Sequence, residues 1–90
     1  MILIDLLGRK WTLRILWELT SGACTFREIQ NRCGGISPTI INKRIKELLD
    51  ANLLKKIKPN GYQLTDSGEG LIELFDPLNE WIRKWEKTLG

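Results

Sequence analysis

Thr39, Asn42, Lys43 and Lys46 stand at a spacing that puts hydroxyl, amide and ammonium groups on one side of a helix. At about 100° per residue, Ile41, Ile45, Leu48 and Leu49 fall on the other side. Amides and lysines in this arrangement do no covalent chemistry. They can form hydrogen bonds to base edges and neutralise phosphates. An ordinary surface helix with solvated lysines has the same pattern, so what surrounds the helix has to decide between the two readings.

Catalysis has little to work with. The sequence has no histidine, no paired-carboxylate cluster and no glycine-rich phosphate loop, so an enzyme is not expected. Cys24 and Cys33 alone cannot build a four-ligand zinc site, and neither a metal nor a cofactor is expected. Both cysteines are expected to stay reduced. Cys24, read as lying in the loop before the third helix where a thiol can be accessible, or Cys33 could act as a sensor, but Thr25 offers Cys24 no charge to lower its pKa, so an unreactive thiol is expected.

The net charge of +3 over 90 residues matters less than its distribution. Residues 37 to 58 carry Lys43, Arg44, Lys46, Lys55, Lys56 and Lys58 against Glu47 and Asp50, a net of +4, whereas residues 59 to 90 carry −3. A polyanion should favour the middle of the chain and be repelled by its C-terminal end. No apolar run approaches the ~20 residues that span a bilayer. The apolar start MILIDLLG lacks the flanks of a signal peptide, so a cytoplasmic protein is expected.

The elements that must hold the basic helix can be read from both sides of it. Ile2, Leu3, Leu6 and Leu7 form a short apolar helix stopped at Gly8, and Trp11 to Leu19 reads as a buried second helix with Trp11 and Trp17 in the core. Thr25-Phe26-Arg27-Glu28 matches a capping box, in which the threonine hydroxyl and the glutamate carboxylate satisfy two backbone N–H groups reciprocally. The third helix started there ends at Cys33-Gly34-Gly35, where two glycines permit a tight turn. Ser37 caps the next helix and Pro38 opens it, placing a helix over about 38–51.

After it, Leu53 to Lys58 and Tyr62 to Thr65 have strand character around Pro59-Asn60-Gly61, which predicts a β-hairpin over about 53–65 with a basic first strand. A last helix over about 66–89 is capped by Thr65, with a kink or break expected near 73–77 because Pro77 lacks an N–H. The chain is thus expected to be mostly α with a small β-hairpin wing (α+β), a single winged helix-turn-helix domain over residues 1–90. The last helix carries Leu78, Trp81, Ile82, Trp85 and Leu89. Together with Ile2, Leu3 and Leu6 of the first helix this is more apolar surface than a small monomer covers, so a homodimer through these residues is expected. The alternative is that the two terminal helices cover each other within one chain.

The sequence resembles the HxlR-type winged helix-turn-helix transcriptional regulators, which share the architecture of the MarR type. The resemblance is carried by Leu6-Leu7-Gly8-Arg9-Lys10-Trp11, Ile15-Leu16, Leu19 and Gly22, then Phe26-Arg27-Glu28-Ile29 and Ile36-Ser37-Pro38 with Arg44, Leu48 and Leu53. It continues through Tyr62-Gln63-Leu64-Thr65, Gly68, Pro77 and Trp81. It implies dimerisation through the first and last helices, an inverted-repeat operator and regulation of nearby genes, with double-stranded DNA as partner.

Two departures accompany the resemblance: Thr25 stands where the family usually has arginine, and the wing is shorter than usual. Family members that sense oxidants use a cysteine upstream of Gly8-Arg9-Lys10-Trp11, and that sensing mode is not carried over. The base-reading set is expected to be Ser37, Thr39, Asn42 and Lys43, with Asn42 suited to adenine and Lys43 to guanine. Arg44, Lys46, Lys55, Lys56 and Lys58 are expected on the DNA backbone. A winged-helix adaptor that binds protein instead would usually have lost the basic helix face and wing, and both are present.

Overall fold

The computed structural model describes residues 3–90. Six helices and three short strands follow in the order α1 (Leu3–Leu7), α2 (Thr12–Glu18), β1 (Cys24–Thr25), α3 (Phe26–Arg32), α4 (Pro38–Asp50), β2 (Leu54–Ile57), β3 (Gly61–Leu64), α5 (Asp66–Glu73) and α6 (Phe75–Thr88). The strands form one antiparallel sheet in the order β1-β3-β2, in which Leu54 faces Leu64 and Lys56 faces Tyr62. The architecture is a mostly helical winged helix-turn-helix with a small sheet.

Leu6, Ile15, Leu16, Ile29, Ile41 and Leu48, one or two from each of the first four helices, form the fully buried centre, and Leu53, Leu54 and Leu64 extend it under the sheet. Every periodic apolar position of α4 except the partly exposed Leu49 therefore points into the core. This fixes the opposite face outward.

Local chemistry sets the helix ends. The Thr25 hydroxyl accepts from Glu28 N at 3.1 Å and the Glu28 carboxylate accepts from Thr25 N at 2.9 Å, so the capping box is complete. At the other end of α3, Gly34 adopts φ +82, and Gly34 N and Gly35 N donate to the carbonyls of Asn31 and Gln30 at 3.1 and 2.8 Å. The same double closure ends α4. Asn52 takes φ +59, a left-handed conformation its short side chain tolerates, while Asn52 N and Leu53 N donate to Leu49 O and Leu48 O.

The terminal helix breaks as Pro77 requires, with Leu74 between α5 and α6 and Pro77 inside the first turn of α6, where its missing N–H costs nothing. None of the residues of α6 is buried.

Three sequence expectations are corrected by the packing. Leu6 is fully buried within its own chain and so has no surface to offer a partner. Trp17 is 49% exposed rather than in the core, because α2 buries the face that carries Thr12, Ile15 and Leu16. Trp11 lies before α2 in a left-handed turn (φ 76), is half-buried and packs against the core as expected. Cys24 is buried in β1, an element too short to show a pattern, with its Sγ near the carbonyls of Glu18 and Gly22.

Candidate nucleic-acid interface

α4 is held at both ends and along one side. Ser37 Oγ accepts from Thr39 N at 3.2 Å, and Pro38 occupies the first helical position, where no N–H partner is needed. Along the side, Arg44 Nε donates to Lys10 O at 3.0 Å, and the Glu47 carboxylate is paired with both Arg44 and Arg9. Arg44 is expected from the sequence to contact DNA. Its guanidinium is instead largely buried and committed to a carbonyl and a carboxylate, so it fastens α4 to the turn between α1 and α2.

With that side occupied, Ser37, Thr39, Asn42, Lys43 and Lys46 are all exposed on the outer face. None of the three lysines Lys43, Lys46 and Lys56 has an acidic partner among the described residues. The α4 surface meets the hairpin in one groove, where Asn42, Lys46, Leu49 and Asp50 face Lys56 and Tyr62. Amide, ammonium and phenol groups from two elements, with the Asp50 carboxylate at one end of α4, thus line one concave strip.

Successive strand residues point to opposite faces. Leu54 goes to the core and Lys56 continues the same face outward beside α4. Lys55, opposite Gln63, lies on the other face, and Lys58 begins the turn. The sequence groups these three lysines into one ribbon, whereas the sheet divides them.

The root of the hairpin is tied to α5. Thr65 Oγ1 accepts from Gly68 N at 3.0 Å and donates to Asn52 O at 2.6 Å, while Thr65 N donates to Leu53 O at 3.1 Å. Gly68 fits only because it has no side chain. A Cβ there would stand 2.3 Å from Leu53 O. The turn end is similarly tight, since a Cβ on Gly61 would meet Ile57 Cγ1 at 2.9 Å across the hairpin.

Of the residues expected at a dimer contact, Leu3, Leu78, Trp81, Trp85 and Leu89 are exposed and Ile82 is half-buried. Ile2 lies outside the described residues. Trp81 and Trp85 stack with ring centroids 6.1 Å apart, forming an aromatic ridge on α6. The exposed Leu13 and Trp17 of α2 line a hollow with Ile72 and Phe75, an apolar surface that the sequence pattern does not single out.

Neither thiol sits in an activating environment. Burial pushes Cys24 and Cys33 above the ordinary thiol value, outweighing the opposing influence of Arg32 on the first and Arg14 on the second. Among the described residues, no group of three or more His, Cys, Asp or Glu could hold a metal, and no helix is long and apolar enough to cross a membrane.

Sequence reasoning missed Glu47, Arg9 and Tyr62. For Glu47 a signal was present: an acid inside a basic stretch, three residues after Arg44 on the same helix. Tyr62 could be found only through the strand register that sets it opposite Lys56.

A family model described as HxlR-like helix-turn-helix matches residues 6–89. An HTH-type transcriptional regulator of Methanocaldococcus jannaschii is 31% identical over 98% of this chain and 86% of its own length. The HTH-type regulator YvaP of Bacillus subtilis is 27% identical over 91% and 82%. Among solved structures, quinone-bound YodB of B. subtilis superposes with a TM-score of 0.84 at 28% identity, covering 90% of each chain. A Thermoplasma volcanium protein described as a possible HxlR family transcriptional factor superposes with a TM-score of 0.81 at 31% identity, covering 97% of this chain and 84% of its own. With a family match over nearly its whole length and a relative 31% identical over 98% of it, the chain belongs to the HxlR-like helix-turn-helix family of transcriptional regulators.

Proposed function

We propose that the protein is a cytoplasmic, sequence-specific regulator that binds an inverted-repeat operator as a homodimer. α4 enters the major groove, where Ser37, Thr39, Asn42 and Lys43 face the base edges. Lys46, Lys55, Lys56 and Lys58 serve the phosphates and Arg44 positions the helix. The observation that carries this reading is the shared groove in which Asn42 and Lys46 of α4 face Lys56 and Tyr62 of the hairpin. It juxtaposes a side chain suited to adenine with cations suited to the adjoining backbone.

The dimer rests on the exposed apolar residues of α1 and α6. A row of Leu78, Trp81, Trp85 and Leu89 on a helix with no buried residue is the kind of surface that a second copy covers. Two-fold symmetry then presents two copies of α4 to half-sites about 34–36 Å apart, or a multiple of that spacing.

Selection of bound sequences from a random duplex pool, with sedimentation of the purified protein alongside, tests the proposal. Enrichment of a two-fold symmetric site by a dimer is expected. Failure to enrich any sequence, or a single half-site bound by a monomer, would remove it. Retention of a protein partner with no DNA binding would point instead to an adaptor.

A further inference from the structure

The hairpin covers one flank of α4, and the opposite flank is covered by the turn from Gly8 to Trp11. Two bonds fix that turn in place: Arg44 Nε to Lys10 O at 3.0 Å, and the Arg9 ion pair with Glu47 one turn along the helix. Around the helix axis, Asn42 and Leu49 lie toward the hairpin and Arg44 and Glu47 toward the turn, with Thr39, Lys43 and Lys46 between them. Lys10 is therefore anchored by its own carbonyl at the edge of the outer face, and its side chain is exposed.

The charge on this flank is positive. Arg9, Lys10 and Arg44 stand against Glu47 alone, and both arginines are paired with that carboxylate. Lys10 has no acidic partner among the described residues. Its Nζ lies 5.7 Å from the centroid of the Trp11 ring, and the left-handed turn at Trp11 holds that ring beside it. Lys10 is thus a cation of restricted position, free of ion pairs and tied through its backbone to the helix whose outer face carries Asn42 and Lys43.

A helix in a major groove about 12 Å wide has a phosphate strand on each side. The hairpin lysine Lys56 can reach only one of them. We infer that Lys10 contacts a backbone phosphate of the opposite strand, so that each subunit grips the groove from both flanks, with Arg44 and Glu47 as positioning residues. This rests on the DNA-binding reading and extends it to a contact outside the helix and the wing.

The test measures affinity against salt for the full chain on a selected operator and on random duplex, comparing wild type with Lys10→Gln and with Lys84→Ala on α6. Each lost phosphate contact removes about 0.9 from the slope of log K on log salt, so Lys10→Gln should lower the slope by about 2 for a dimer, equally on both DNAs. Lys84→Ala should leave it unchanged. Single methylphosphonate substitutions in the operator should reveal a position that matters to wild type but not to Lys10→Gln, on the strand opposite the one reported by Lys56→Ala.

An unaltered slope for Lys10→Gln, or both lysines mapping to one strand, would overturn the inference while the DNA-binding reading stood. Absence of wild-type binding to any duplex would overturn that reading itself and the inference with it.

Discussion

Arg9 and Glu47 are 38 residues apart in sequence, and their ion pair closes the turn after α1 onto the middle of α4. Glu47 also holds Arg44, so one carboxylate, 14% exposed, gathers two guanidinium groups on the side of α4 away from the hairpin. The pairing does for one flank of the helix what sheet packing does for the other.

Removing the carboxylate leaves a largely buried guanidinium without its partner, so Glu47→Ala should destabilise the fold by about 1–3 kcal/mol. Arg44→Ala should also lower thermal stability, and by releasing the turn that carries Lys10 it should lower the slope of log K on log salt by no more than Lys10→Gln does, because its own side chain contacts protein rather than phosphate. Thermal denaturation and anisotropy titrations of the same two variants check both halves. A further loss of slope when Arg44→Ala is added to Lys10→Gln would return that residue to the DNA backbone.

Two glycines on α5 should respond oppositely to the same change. A Cβ on Gly68 would stand 2.3 Å from Leu53 O, a backbone atom that cannot move aside without shifting the hairpin root. Gly68→Ala should cost about 1–3 kcal/mol or more. Gly70 has nothing within 4 Å, so Gly70→Ala should stabilise the helix by up to about 1 kcal/mol. Urea unfolding of the two variants measures the contrast.

The capping box predicts a pH dependence. Hydrogen bonds from Thr25 hold the Glu28 carboxyl below the usual glutamate value. A carboxylate lowered in the folded state adds stability above its ordinary pKa and loses it as pH falls through the lowered folded value. Glu28→Gln keeps a side chain that can complete the box but cannot titrate. Wild type should therefore lose stability more steeply than Glu28→Gln on acidification below the ordinary glutamate range, with parallel curves above it. Chemical denaturation across that range gives the comparison.

Buried thiols with raised pKa values react slowly, since the thiolate is the nucleophile. Cys24 and Cys33 should resist a disulfide reagent at neutral pH until the chain is unfolded, and diamide should leave DNA affinity unchanged. Rapid labelling of the native protein would contradict the burial of Cys24 in β1.

The parts legible in the sequence are those specified by neighbouring residues. Thr25 with Glu28, Ser37 with Pro38, Gly34 with Gly35, and Pro77 each act within a few positions, and the structure has the cap, turn or break that each implies. The features that were not legible depend on distance. β1 is two residues long and exists because Cys24 and Thr25 pair with Tyr62 and Gly61. Arg44 reads as one more cation in a basic stretch until Lys10 and Glu47 are brought beside it. Trp17 has core-like spacing on α2, but that helix buries its other face. Lys55 and Lys56 are adjacent in the chain, and only the pleat of β2 separates them.

The division of α4 and the hairpin into base-reading and phosphate-binding groups is tested most directly by one titration. It measures affinity of wild type, Asn42→Ala and Lys56→Ala for the selected operator and for random duplex over a range of salt. Asn42→Ala should weaken operator binding by about 1–3 kcal/mol per half-site while sparing random DNA and the salt slope. Lys56→Ala should weaken both DNAs alike and lower the slope by about 2 for a dimer. Equal losses on operator and random DNA for both variants would contradict the account.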